Sequence, residues 1–443
     1  MRTLLLFISL LLSPQLWASN WPQFRGPQAC GVDATAAAPV HWDLESGENI
    51  RWRAPIPGLA HASPIIWEDR VYIATAVGPG KSELKVGLYG DVVPANDQES
   101  HQWRILALDK NTGKTLWDKV GYEGIPKTKR HPKGSHCSST PATDGKHIVA
   151  IFGSEGLFCF DPDGKLAWKK DLGPMDSGWY VSPSAQWGFA SSPVIYQSKV
   201  IVLCDVQTNS FLALFDVANG KELWRTPRND VPTWGTPTFA KLGAQTIILV
   251  NGWHHTGGYD FGTGEELWKI DGGGDIPVPT PIVEDGLAYF TSAHGPARPM
   301  RAVRLEAHGN ITPPDPGATN AAIVWAHARQ GNYMQTPILV GEHLFGCNDL
   351  GVITCFDART GAIKYSQRIG NGSEGFTSSP ISDGRNLYFA SEVGHVYVVP
   401  AVEQFSVTAT NNLVETCMAS PAICDGTLFY RTRDQVVAIG HKK

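Results

Sequence analysis

An eleven-residue pattern, ALDKNTGKTLW at 107–117, returns four more times, and that recurrence constrains the fold more than any other feature. The copies are CFDPDGKLAW (159–168, one residue shorter), LFDVANGKELW (214–224), GYDFGTGEELW (258–268) and CFDARTGAIKY (355–365), the last with Tyr in the Trp slot. In the third of the five, Asp216 can accept backbone N–H bonds across the turn, and Gly220 can take the positive φ that other residues resist. Trp224 then falls on an outer strand, where its ring can lie against the next unit. Burying such a ring contributes on the order of 2–3 kcal/mol as an upper figure.

A second signature precedes each copy: Ser or Thr near a Pro, then two apolar runs. Its anchors are Pro64, Pro141, Pro193, Pro237, Pro281, Pro337, Pro380 and Pro421, mostly 41 to 56 residues apart. That period matches four-stranded propeller blades. Residues 191–224 show one unit in full, four short runs rich in β-branched and aromatic residues separated by turns. The 46 Gly and 31 Pro suit such punctuation. A lone sheet cannot hide both faces, so the units must stack into a ring. The eighth unit ends at QVVAIGHKK without its Trp strand, and ENIRWRAPI (48–56) supplies a candidate, with Trp52 in the Trp slot. The expectation is an all-β fold: an eight-bladed propeller of four-stranded antiparallel blades over 48–443, closed by the N-terminal strand joining the last blade. Residues 19–47 form an extension before it.

The first eighteen residues read as an export signal: Arg2, the apolar run LLLFISLLL, and Ala18 at the cleavage region. No Cys lies at that point to take a lipid anchor, and no other segment is long and apolar enough to span a bilayer. A soluble, monomeric protein of the periplasm or other exported space is expected. Of the eight Cys, Cys159 and Cys355 share the slot of Ala107, and Cys204, Cys347 and Cys424 sit in apolar runs; these five read as free buried thiols. Cys30, Cys137 and Cys417 stay open. A net charge of −5 without long like-charge runs excludes nucleic acid as an expected partner. The basic stretch at 127–133 reads as a solvated loop.

The repeat resembles the pyrroloquinoline-quinone (PQQ) repeat family, whose tryptophan-docking motif matches 107–117. Similar eight-bladed rings occur in PQQ-dependent alcohol dehydrogenases and in the outer-membrane assembly lipoprotein BamB. The opening WPQFRGP (21–27) is similar to a segment that begins many exported PQQ-like propellers of uncharacterised role. The resemblance implies architecture and leaves chemistry open.

In a four-stranded blade the B–C and D–A loops share one face. The longest insertions, 77–102, 119–137, 173–189 and 293–301, all fall there, and only 306–322 is expected opposite. That gathers candidate ligand-binding residues on one rim: His136, Trp179, Tyr180, Trp187, His254, His255, His294, Arg298, Arg301, Tyr333 and Glu374. Each has a plain alternative. The two Trp can seal a loop, and adjacent His residues on an extended segment point opposite ways, so a metal there would need further ligands. No metal site is assigned. Arg298 and Arg301 could clamp a carboxylate. Asp161, Asp216, Asp260 and Asp357 recur with the turn and read as structural.

Two functions compete. The favoured one is a non-catalytic binding or assembly scaffold whose loop-rich face takes a protein, peptide or glycan. The alternative, implied by the resemblance, is a quinoprotein dehydrogenase oxidising an alcohol or sugar. It would need partners for the three PQQ carboxylates, an aromatic stacking surface, Ca²⁺ ligands and an Asp base. The chain departs from that pattern: it has neither an adjacent Cys pair nor a CxxCH. No catalytic residue is assigned, and an enzyme is not expected. Polysaccharide hydrolysis or lysis is a more distant third reading.

Overall fold

In the computed structural model, which describes residues 19–87 and 93–441, eight four-stranded antiparallel sheets form a closed ring. The export-signal reading falls on residues 1–18, outside the described residues. Blade 3 shows the unit: strands A to D are Val194–Tyr196, Lys199–Cys204, Phe211–Asp216 and Glu222–Pro227. Strands B and C are almost wholly buried, whereas strand D alternates toward solvent, as a rim strand should.

The ring closes as the sequence predicts. Ala422–Cys424, Thr427–Arg431 and Gln435–Ile439 form strands A to C of blade 8, and Ile50–Pro55 pairs antiparallel with the last of them. Trp52 sits opposite Ala438. Two exposed sheet edges disappear in this pairing.

The recurring motif works between blades. The indole N–H of Trp52 donates to the Lys110 carbonyl, Trp117 to Pro162, Trp168 to Val217, Trp224 to Phe261 and Trp325 to Ala358. Each ring also lies on the turn glycine of the blade it reaches. A Cβ on Gly113, Gly164, Gly220, Gly264 or Gly361 would come within 3 Å of that ring, and all five have positive φ. Glycine is therefore demanded twice, by conformation and by close approach. The turn Asp fixes the loop: Asp109 Oδ1 accepts the Asn111 and Thr112 amides at 3.0 and 2.8 Å.

Three interfaces depart from the rule, and in the one between blades 6 and 7 the Trp slot holds Tyr365, whose hydroxyl is buried without a partner. Blade 5 lacks the motif turn; residues 305–322 run out instead, and Gly309–Asn310 adds a short parallel strand to blade 4. Trp268 accordingly has a buried indole N–H without an acceptor. Blade 7 has no Trp on its strand D, Ala409–Asn412. Here the N-terminal extension supplies Trp42, which packs 6.3 Å from Tyr430 and is held by Asn411 on its backbone amide.

Around the central channel, each Pro anchor is preceded by a hydroxyl residue. The amide of Ser63 donates to Thr140 Oγ1, Thr140 to Ser192, and Ser192 to Thr236, at 2.9 to 3.0 Å. Thr280, Thr336, Ser379 and Ser420 continue the belt in the same way. Six of the eight hydroxyls satisfy the inward-facing amide of the preceding blade, whereas those of Ser63 and Thr280 are buried without a partner.

All eight cysteines are free. Burial pushes the thiols of Cys159 and Cys355 up to about 12, consistent with packing residues. Three loop boundaries differ from expectation, with Val77, His101 and Gln102 already in strands of blade 1, and Met300 and Arg301 in strand C of blade 5. Thr115–Gly124 is a long strand D that pairs with His101–Asp109, so 119–124 is sheet and the loop proper begins at 125. No helix of the described residues is long and apolar enough to cross a membrane.

Candidate functional site

The channel is blind. Residues 19–33 cross its far end and touch every blade. Trp21 exchanges backbone hydrogen bonds with Ile66 of blade 1, and the Pro22 carbonyl accepts from Thr143 of blade 2. Gln23 Oε1 accepts from Ile195 of blade 3, and the Gln28 carbonyl from Thr238 of blade 4. Pro27–Ala29 packs beside Ile282–Glu284 of blade 5. Arg25, fully buried, donates to the carbonyls of Pro337 in blade 6 and Pro380 in blade 7, at 2.9 and 2.7 Å. Ser19 bonds Asp425 of blade 8. Burial lowers the Arg25 guanidinium to about 10. Phe24 is left pointing into the channel, as its floor.

Above Phe24 and the hydroxyl belt lies a cavity of about 200 Å³, open toward the B–C and D–A loops. One wall, from blades 2 to 6, is apolar: Trp187, Trp234, Ile276, Val278, Met334 and Phe376. Trp187 is stacked on His131 at 3.9 Å, and Trp234 donates to the Gly188 carbonyl at 2.8 Å. The other wall carries His61, Lys133, Glu392 and Asp349. Lys133 Nζ lies 2.9 Å from Glu392 Oε1, and Glu392 also accepts from Thr377 and the Gly87 amide. His61 Nε2 is 2.8 Å from the Lys133 carbonyl, and burial pulls its imidazole down to about 4, so the ring is neutral at pH 7.

A second cluster forms the rim. The D–A loop of blade 2 contains a small hairpin, Gly178–Trp179 with Ser182–Gln186, that leans toward blades 4 and 5. Tyr180 stacks on Trp253 at 4.3 Å, and Trp253 lies 4.5 Å from His254. Trp179 meets His294 edge-on at 5.9 Å, and His294 stacks near Tyr333 at 5.7 Å. Asp275 ties the arc together, bonding His294 Nδ1 at 2.5 Å and Tyr180 at 3.3 Å.

The sequence-predicted residues thus divide. Trp179, Tyr180, His254, His294 and Tyr333 come together in the arc, with Trp187 below them in the funnel. Arg298 lines a neighbouring cleft of about 170 Å³ with Arg329. His255 opens strand C of blade 4 and meets Glu266 and Tyr259 in a network around buried Arg228. Arg301 is 5% exposed inside blade 5, not on the rim, so it does not join Arg298 in a clamp. Glu374 is held by His395 at 2.9 Å and Tyr397 at 3.2 Å. His136 stands apart, with Asp97 and His101 at the first blade. Burial holds its imidazole below the ordinary range. Burial alone would raise Asp97, but the hydrogen bond and charge of His136 and the Arg130 guanidinium hold it at about 2. Sequence reasoning missed His61, Trp234 and Glu392, which stand in different blades and share no local pattern, and it read 127–133 as a solvated loop, whereas Arg130 and His131 are buried and Lys133 pairs with Glu392.

PQQ is a poor match for this lining. Its three carboxylates would meet Glu392 and Asp349 beside one lysine already paired to Glu392. His61 adds no charge, and Phe24 fills the depth.

A family model described as outer membrane protein assembly factor BamB matches residues 101–367 and 208–442. No curated protein matches the sequence. Among solved structures, BamB from Moraxella catarrhalis superposes with a TM-score of 0.55 at 14% identity, covering 84% of this chain and 98% of that one. The computationally designed Ika8 protein superposes with a TM-score of 0.57 at 10% identity, covering 88% and 99%. At such identities both show the ring and nothing about its ligand.

Proposed function

The chain belongs to the family described as outer membrane protein assembly factor BamB, and from that premise we propose that it is a non-catalytic binding scaffold of the exported space. Its loop-rich face takes an extended segment of a protein partner and seats an apolar side chain in the funnel. The observation that carries this is the blind funnel itself. An aromatic and aliphatic wall faces a wall whose lysine and glutamate already neutralise each other, over a floor sealed by Phe24. Such a pocket gains from desolvating an apolar group and offers little to a highly charged cofactor. The arc from Trp179 to Tyr333 extends the apolar surface outward, as peptide-binding grooves do.

The test begins with selection of short peptides from a displayed library, followed by titration monitored by Trp fluorescence. A selected peptide carrying an apolar anchor should bind, and Trp187→Ala and Met334→Ala should each weaken it at least tenfold without changing the melting temperature by more than a few degrees. Binding unaffected by both substitutions would refute the funnel as the site. A parallel titration with PQQ and Ca²⁺ addresses the dehydrogenase. Stoichiometric binding with dye-coupled oxidation of alcohols or sugars would replace the scaffold reading.

A further inference from the structure

The largest rim insertion ends with residues 93–100, which lead directly into strand C of blade 1, His101–Asp109. There, two pieces of chain, 97–101 and the loop before blade 2, bring Asp97, His101 and His136 together, with one donor atom from each within 4.8 Å of the others. Asp97 Oδ1 and His136 Nε2 are already 3.1 Å apart. His101 Nδ1 bonds the Glu99 carbonyl at 2.7 Å, which fixes the tautomer and leaves Nε2 as the ring's lone-pair nitrogen. Arg130 Nε holds the other Asp97 oxygen at 2.7 Å and leaves Oδ1 as the donor. His101 is 2% exposed, and the side chains of His136 and Asp97 are 7% and 17% exposed. The group borders a cavity of about 440 Å³ lined by Gly78, Ser82, Ala95 and Gln98.

We propose that Asp97, His101 and His136 form a binding site for a divalent transition-metal ion, with Zn²⁺ as the reference occupant. Two imidazoles and one carboxylate are the donor set that borderline ions select over Ca²⁺ or Mg²⁺. Tetrahedral ligands about 2.1 Å from a common ion lie about 3.4 Å apart, a spacing that Asp97 and His136 already approach at 3.1 Å and that His101 would reach by a side-chain adjustment. Both partner bonds, Glu99 carbonyl on His101 and Arg130 on Asp97, orient ligands in the manner of outer-shell contacts at metal sites. A three-ligand set leaves a coordination position facing the cavity. The ion would pin the insertion to the junction of blades 1 and 2, at the edge of the binding face. This inference is independent of the ligand proposed for the funnel.

The test uses residues 19–443, freed of metal with a chelator and titrated with Co²⁺ and then Zn²⁺. One equivalent of Co²⁺ should give visible d–d absorption that Zn²⁺ displaces, and Zn²⁺ should raise the melting temperature by mass action. His101→Gln and His136→Gln should each weaken binding at least tenfold, while His254→Gln should not. Circular dichroism of the metal-free variants checks that they fold. If one misfolds, Asp97→Asn carries the same expectation. Absent binding, or binding unchanged in the His101 and His136 variants, would overturn the site. Binding lost only in His254→Gln would place the metal at the other histidine pair and equally overturn it.

Discussion

At the scale of single residues, the indole-to-turn bond can be separated from indole packing because one Trp lacks it. Trp224 donates to the Phe261 carbonyl and lies on Gly264, whereas the Trp268 N–H is buried without a partner. Trp224→Phe should cost about 1 kcal/mol for the lost bond, plus packing. Trp268→Phe incurs the packing cost without losing a bond and should therefore cost about 1 kcal/mol less than Trp224→Phe, which urea unfolding of the pair would read directly. Gly264→Ala should be worse than either, since it meets both a positive φ and the Trp224 ring. A second test concerns His61. Its folded pKa is pulled down, chiefly by burial, to about 4, while the unfolded chain titrates near the ordinary value of about 6.5. Below that value the unfolded state takes up a proton that the folded state refuses. Stability present at pH 7 is therefore lost as pH falls toward 4. His61→Gln keeps a donor for the Lys133 carbonyl and should flatten this limb by about 1–3 kcal/mol, seen as a smaller drop in melting temperature between pH 7 and 4.5. The turn Asp and Gly were legible in sequence because their constraint is local. Asp97 and His101 were not, because the group they form with His136 exists only in the folded chain.

At the scale of elements, the segment at 19–33 is the least legible part of the chain and among the most connected. Its partners, from Ile66 to Asp425, are strand ends dispersed over the whole sequence, so no window around WPQFRGP could reveal a floor. Residues 34–47 hid for a related reason: Trp42 completes an interface whose own blade lacks the Trp. The closing strand at 50–55, by contrast, was readable because Trp52 repeats the motif and the last unit visibly lacks one. Arg25→Ala should destabilise by about 3 kcal/mol or more, since it leaves the carbonyls of the buried Pro337 and Pro380 without their donor. Phe24→Ala should cost less and deepen the funnel. Hydrogen exchange separates the two: Arg25→Ala should release protection at Thr143 and Ile66, whose amides bond the segment, while Phe24→Ala should leave it intact.

At the scale of the whole molecule, the ring can be broken at one junction without cutting a covalent connection between strands of the same blade. Every blade except the last is built from consecutive chain, but blade 8 joins Ile50–Pro55 to Gln435–Ile439 across nearly the full sequence. Closure therefore rests on that pairing and on Trp52, not on a loop. A cross-link there removes the loop-closure entropy of a very long segment from the unfolded chain. Ala54 and Val436 face each other in register, and both are buried. A disulfide in Ala54→Cys/Val436→Cys should raise unfolding stability by as much as about 5 kcal/mol, reduced by any strain of the new bond. Guanidinium unfolding of the oxidised and reduced double variant measures the difference within one sequence, free of packing changes. If closure limits the ring, the oxidised form should keep a single sharp transition moved to higher denaturant. If the cross-link forms and the midpoint does not move, the blades unfold from some other junction, and the candidates are then the interfaces whose docking residue has no acceptor, at Trp268, Tyr365 and Trp42.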